Sequence, residues 1–105
     1  MYKLTALWGS PKPEDRAAFE DHYLKIHVPL ANALKNLSEV QTVVVDEGLE
    51  GAPQPFHRVA IMVWPDRAAF ARDEASEAWK ALRADGSGLA ERFGVSLIAA
   101  TGEDG

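Results

Sequence analysis

The chain contains no cysteine, which removes disulfides, thiolate nucleophiles and thiolate metal sites together. It also lacks a long apolar run: the stretch from Val59 to Trp64 falls far short of the ~20 residues a membrane-spanning helix needs. No basic segment followed by an apolar stretch opens the sequence, so neither a membrane nor a secretion signal is expected and the chain reads as cytoplasmic. Basic residues are in deficit. Eleven Lys and Arg face sixteen Asp and Glu, a formal net charge of -5, and no basic stripe is present to hold a phosphate backbone, which argues against nucleic acid as a partner.

Other patterns are missing too. Gly86-Ser87-Gly88 lies after a helical stretch and has no P-loop lysine, so a nucleotide site is disfavoured. Ser10, Ser76, Ser87 and Ser96 lack the setting of a nucleophile elbow, and nothing supports a hydrolase. What remains is a 105-residue chain, 47% hydrophobic and 26% charged, the profile of one ordinary folded domain spanning residues 1–105.

Tyr2, Leu4, Ala6 and Trp8 alternate with Lys3, Thr5 and Leu7, predicting a first strand that Gly9-Ser10-Pro11 ends. Pro13, Glu14 and Asp15 suit a helix start, and a helix is expected from Pro13 into the His27 region. Its buried stripe reads Phe19, His22, Tyr23, Ile26 and Leu30, with Glu20, Asp21 and Lys25 outside. Pro29 predicts a kink near Val28, followed by a turn or two through Leu37. A second strand over Val40 to Asp46, a breaker-rich loop, and a third strand over His57 to Trp64 follow. Pro65-Asp66 opens an alanine-rich helical stretch that Ser76 re-caps, Asp85 to Gly88 reads as a turn, and Leu89 to Phe93 as one short helical turn. Val95 to Thr101 makes a fourth strand, and Gly102 to Gly105 a frayed tail.

The order βαββαβ predicts an α+β, ferredoxin-like fold in which two helices cover one face of a four-stranded antiparallel sheet. Strands with apolar residues on both faces, such as Val43 to Val45 and Val59 to Val63, imply that the other face is buried as well. A symmetric dimer, sheet against sheet, would bury it.

Two of the three histidines and a tyrosine lie within Phe19 to Leu30, a concentration suited to proton transfer. At 3.6 residues per turn Tyr23 and His27 stand about 40° apart, whereas His22 and His27 stand about 140° apart. Tyr23 and His27 therefore share a face, and His22 joins them only if the kink turns His27 back. Two readings stay open for these residues: hydrogen-bonded packing groups under a loop, or groups that bind or protonate a ligand. The spacing of His22 and His27 is not the i, i+4 pair that grips zinc, so no metal is expected. Trp8, Trp64, Phe70 and Trp79 supply ample aromatic surface for a core or a ligand pocket, with Trp8 placed at a cavity mouth near the start of helix one.

The opening Tyr2-Lys3-Leu4-Thr5-Ala6-Leu7-Trp8, the Phe19-x-x-His22-Tyr23 core and the His27-x-Pro29-Leu30 continuation resemble the EthD family of the dimeric α/β-barrel superfamily. One difference is Lys35-Asn36-Leu37, where relatives tend to carry Leu-Pro-Gly. The resemblance implies a homodimer with a ligand cavity between sheet and helices, acting on a small apolar or aromatic molecule without a cofactor. It also implies His22, Tyr23 and His27 as catalytic residues and Trp8, Phe19, Trp64 and Trp79 as substrate contacts. The implied activity is oxidoreductase or monooxygenase, cyclase or decarboxylase chemistry. The alternative is a non-catalytic carrier or accessory subunit of an oxidative degradation system. Related barrels include haem users, but nothing beside either histidine marks it as an axial ligand.

Overall fold

The computed structural model describes all 105 residues. Strand β1 (Tyr2–Trp8) leads through a short 3₁₀ turn at Pro13–Asp15 into α1 (Arg16–His22), a π-turn (Tyr23–His27) and α2 (Val28–Asn32). Strands β2 (Glu39–Val44) and β3 (Arg58–Trp64) follow, then α3 (Arg67–Glu74), α4 (Glu77–Phe93) and β4 (Leu97–Glu103). The sheet order β2-β3-β1-β4, antiparallel throughout, is the α+β ferredoxin-like arrangement expected. No helix is long and apolar enough to cross a membrane.

The inner sheet face carries Tyr2, Leu4, Ala6 and Trp8 of β1 opposite Trp64, Met62, Ala60 and Arg58 of β3. Two apolar clusters form between this face and the helices. One gathers Tyr2, Leu34, Met62, Trp64, Phe70 and Leu82, the other Trp8, Phe19, Tyr23, Leu89 and Phe93. Trp64 is tied down by Asp73, whose carboxylate accepts its Nε1–H at 2.7 Å and Asn36 Nδ2–H at 2.8 Å. Asn36, in the segment that departs from the family pattern, thus anchors the approach to β2 on α3.

The first helix is where the sequence expectation needs correction. It does not kink at Pro29; it takes in one extra residue, and the Val28 N–H reaches back to the Tyr23 carbonyl, an i→i−5 bond. The wider turn eases the clash that Pro29 would make with a preceding carbonyl. It also rotates every later side chain by one position. Ile26, expected in the buried stripe, stands 47% exposed, and His27 and Ala31 turn inward, while Leu30 stays half-buried against the core as expected. Glu20, expected outside, turns toward β3 and bonds His57 and Arg58. The helix also ends at Asn32, short of Leu37.

The second correction concerns residues 85–88. They are not a turn but the middle of α4, which Ser76 caps by accepting the Trp79 N–H at 3.2 Å and Gly94 ends at φ 62°. Two glycines weaken helix propensity by about 1 kcal/mol each, yet Leu82, Leu89 and Phe93 bury one face strongly enough to hold the helix. Gly86 earns its place by proximity: a β-carbon there would lie 3.3 Å from His27 Cε1, so glycine lets α4 approach the π-turn. A β-carbon on Gly88 meets nothing within 4 Å. Gly88→Ala should therefore raise stability by about 0.5–1 kcal/mol, seen as a higher melting temperature.

Strand ends also shift. β2 stops at Val44, β3 begins at Arg58 and β4 at Leu97. Gly102 and Glu103 do not fray: they pair with Lys3 and Tyr2, and the Met1 ammonium meets Asp104 at 2.8 Å.

Candidate active site

Between the two core clusters lies a cavity of about 730 Å³, within the usual range for small-molecule sites. Leu4, Ala6, Ala60 and Met62 of the sheet form its floor, and α2 and α4 cover it. Tyr23 and His27 are polar groups on an otherwise largely apolar wall; exposed Glu74 and Arg83 mark where the cavity meets solvent.

Asp85 organises the histidines. Its Oδ2 lies 2.9 Å from His27 Nδ1 and its Oδ1 lies 2.8 Å from His22 Nε2. The π-turn makes this possible, because an i→i+5 turn stacks residues five apart where an α-helix would set them on different faces. A carboxylate accepts only, so each histidine donates to it, from which the Nδ1–H tautomer of His27 is inferred. The remaining nitrogen of His27, Nε2, has no partner within the protein. Burial pushes the His27 pKa below its ordinary 6.5, opposed by the Asp85 hydrogen bond and charge and reinforced by the charges of His22 and Arg83. At neutral pH His27 is therefore an uncharged imidazole with a free lone pair on the ring of a cavity residue, oriented by a carboxylate behind it.

Tyr23 is 1% exposed, stacks on His27 at 5.6 Å between ring centroids, and its hydroxyl bonds no protein group. Burial pushes its pKa up to about 12, against the opposing pull of Arg58, whose guanidinium sits 4.8 Å above the ring. The phenol keeps its proton and can donate it to a ligand oxygen. Behind the ring, Glu20 accepts from Arg58 Nη2 at 2.6 Å and from His57 Nε2 at 3.0 Å, fixing the wall on which Tyr23 rests.

The residues predicted from sequence fall into three groups. Tyr23, His27, Trp8 and Trp79 line the cavity. His22 does not; it reaches Asp85 from outside. Phe19 and Trp64, both 0% exposed, lie in the core away from the cavity. Trp8 is no cavity mouth: 1% exposed, it closes the inner end, edge-on to His27 at 5.2 Å. Sequence reasoning missed Asp85, Glu20, Arg58 and Arg83. Leu82, Leu89 and Phe93 continue a helical stripe across the glycines, the signal that would have put Asp85 on a helix. No group of three or more His, Cys, Asp or Glu side chains is arranged to hold a metal ion.

Solved structures share the fold. An EthD family protein from Bacillus halodurans is 26% identical, with the alignment covering 100% of this chain and 99% of that one at a TM-score of 0.84. An EthD-like protein from Ralstonia eutropha is 16% identical over 97% of this chain and 89% of that one, TM-score 0.65. An antibiotic biosynthesis monooxygenase shares the fold at 19% identity, over 100% and 99% of the two chains, TM-score 0.66. No curated protein matches the sequence. The EthD domain model matches residues 11–92, which hold the paired histidines, the tyrosine between them and the aspartate that joins them. On that match, the chain belongs to the EthD domain family.

Proposed function

We propose that this protein is a cofactor-independent enzyme that binds a small apolar or aromatic molecule in the cavity and removes a proton from an activated carbon or phenol. The observation that carries this is the unpartnered Nε2 of a neutral, half-buried His27 whose Nδ1 is held by Asp85. His27 is the general base, Tyr23 donates a hydrogen bond to the substrate oxygen, and Asp85 positions the imidazole. His22 acts through Asp85: its hydrogen bond occupies the second carboxylate oxygen and fixes the aspartate's orientation. The monooxygenase among the structural neighbours fits an oxidative outcome, since an electron-rich carbanion or phenolate is the form that meets dioxygen directly.

The test is deuterium exchange. A tricyclic aromatic ketone with an acidic methylene, incubated in deuterated buffer, should lose its methylene proton faster with the protein than without it, as followed by NMR. Binding without accelerated exchange would favour the carrier reading instead.

The same proposal includes a homodimer. The outer sheet face presents Leu7, Val59, Ile61, Val43 and Ile98, the last two 50% and 59% exposed, an apolar surface suited to a second copy. Ile61→Glu should convert a dimer into a monomer by size-exclusion chromatography with light scattering; a wild-type monomer would refute this part.

A further inference from the structure

The polar groups of the cavity are unevenly distributed. His27 and Tyr23 cluster at the inner end against Trp8, and the sheet contributes only the hydroxyls of Thr42 and Thr101. Helix α4 adds a different pair, Arg83 and Ser87, four residues apart on the face that lines the cavity. Arg83 is the only lysine or arginine in that lining. It takes part in none of the ion pairs of the protein, and neither its guanidinium nor the Ser87 hydroxyl is hydrogen-bonded within it. Two other arginines are committed elsewhere: buried Arg58 to Glu20, and Arg72 to Asn36.

Resting on the cavity reading above, we propose that the ligand is an apolar or aromatic molecule bearing a carboxylate, which Arg83 and Ser87 hold at the solvent-facing end while the apolar body extends toward Trp8. The guanidinium presents a planar fork of donors that matches a carboxylate, and a hydroxyl one turn away adds a further donor to the same group. Placement at the exposed end matters: the anion keeps part of its hydration there, so its desolvation cost is far lower than at the inner end. The influence of the Arg83 charge on His27 puts the two groups in one electrostatic field. The fixed carboxylate would then set which atom of the ligand reaches Nε2. Glu74, also at the exposed end, repels such an anion and makes the opposite polarity the competing outcome.

Isothermal titration with three matched probes separates these cases: naphthoate, naphthylmethanol and naphthylmethylamine. Naphthoate should bind the wild type tighter than the other two, and its affinity should fall with added salt while that of the alcohol does not. Arg83→Gln should weaken naphthoate about fivefold and leave the alcohol unchanged, as for a partly exposed charged pair; Ser87→Ala should weaken naphthoate less. Both residues are exposed, so melting curves should match wild type. Equal binding of acid and alcohol, an equal effect of Arg83→Gln on both, or preference for the amine would overturn the carboxylate assignment while leaving the cavity reading standing. If none of the three binds, the cavity reading itself fails and the assignment falls with it.

Discussion

Glu20→Ala should cost about 2–3 kcal/mol of stability, read as a lower urea midpoint at pH 7 with an unchanged slope. Arg58 and His57 are 4% and 1% exposed, and the Glu20 carboxylate is the acceptor for both. Removing it strands a buried guanidinium and a buried imidazole donor, so the loss comes mainly from uncompensated groups left behind. The expected size is set below that of a fully buried pair, because the Glu20 side chain is 24% exposed and partly screened. The same node gives an acid limb. Burial alone would raise the Glu20 pKa, but hydrogen bonds from Arg58 and His57 outweigh it and leave the carboxyl below its ordinary 4.5. The folded state thus binds its proton less readily than the unfolded chain. The stabilisation is full above pH 4.5 and is lost as pH falls through the depressed folded value. In Glu20→Ala the wild-type loss over that range should flatten; an unchanged acid profile would refute the assignment.

His27→Ala should lower the exchange rate by about 10²–10⁴-fold, the usual contribution of a positioned base, with melting and oligomeric state little altered. Because burial holds the imidazole below 6.5, wild-type rate should be flat through neutral pH and fall only on the acidic side of that value, where Nε2 takes up a proton. Asp85→Asn gives a second, directional check. It removes the charge that raises the His27 pKa and turns one of the two acceptor oxygens into a donor, so the acid limb should move to lower pH even as the rate drops through loss of the paired acceptors that fix the imidazoles. A limb that stays in place in Asp85→Asn would sink the pairing. For stability the sign agrees with that for Glu20: a histidine with a depressed folded pKa favours the unfolded state as pH falls below 6.5.

Element order, sheet topology and the inner face of β1 were legible because strand alternation and helix caps are local signals. Pro13, Asp66 and Ser76 sit where the helix starts require them. The site was legible in part. Tyr23 and His27 follow from helical spacing, but the joining of His22 to His27 does not, since it depends on a departure from 3.6 residues per turn that no residue type announces. Asp85 was hidden for a related reason: glycines at 86 and 88 carry the local signature of a turn, and it is burial of Leu82, Leu89 and Phe93 that holds the helix across them. Trp64 and Phe19 show the limit of reading aromatics by type, because a buried ring looks the same in sequence whether it faces a cavity or a core.

The π-turn has a consequence for how this site can be gained or lost. The meeting of two imidazoles on one aspartate is encoded in the number of residues between them, not in their kind. Deleting a single exposed residue such as Leu24 would keep every histidine, tyrosine and aspartate in the chain. It would also restore an ordinary helix in which the two rings stand four residues apart and still share a face, with the downstream residues keeping their places against the core. The separation that would part the imidazoles is five residues in an unbroken α-helix, so the pairing on Asp85 tolerates the loss of the extra residue but not the loss of the π-turn around it.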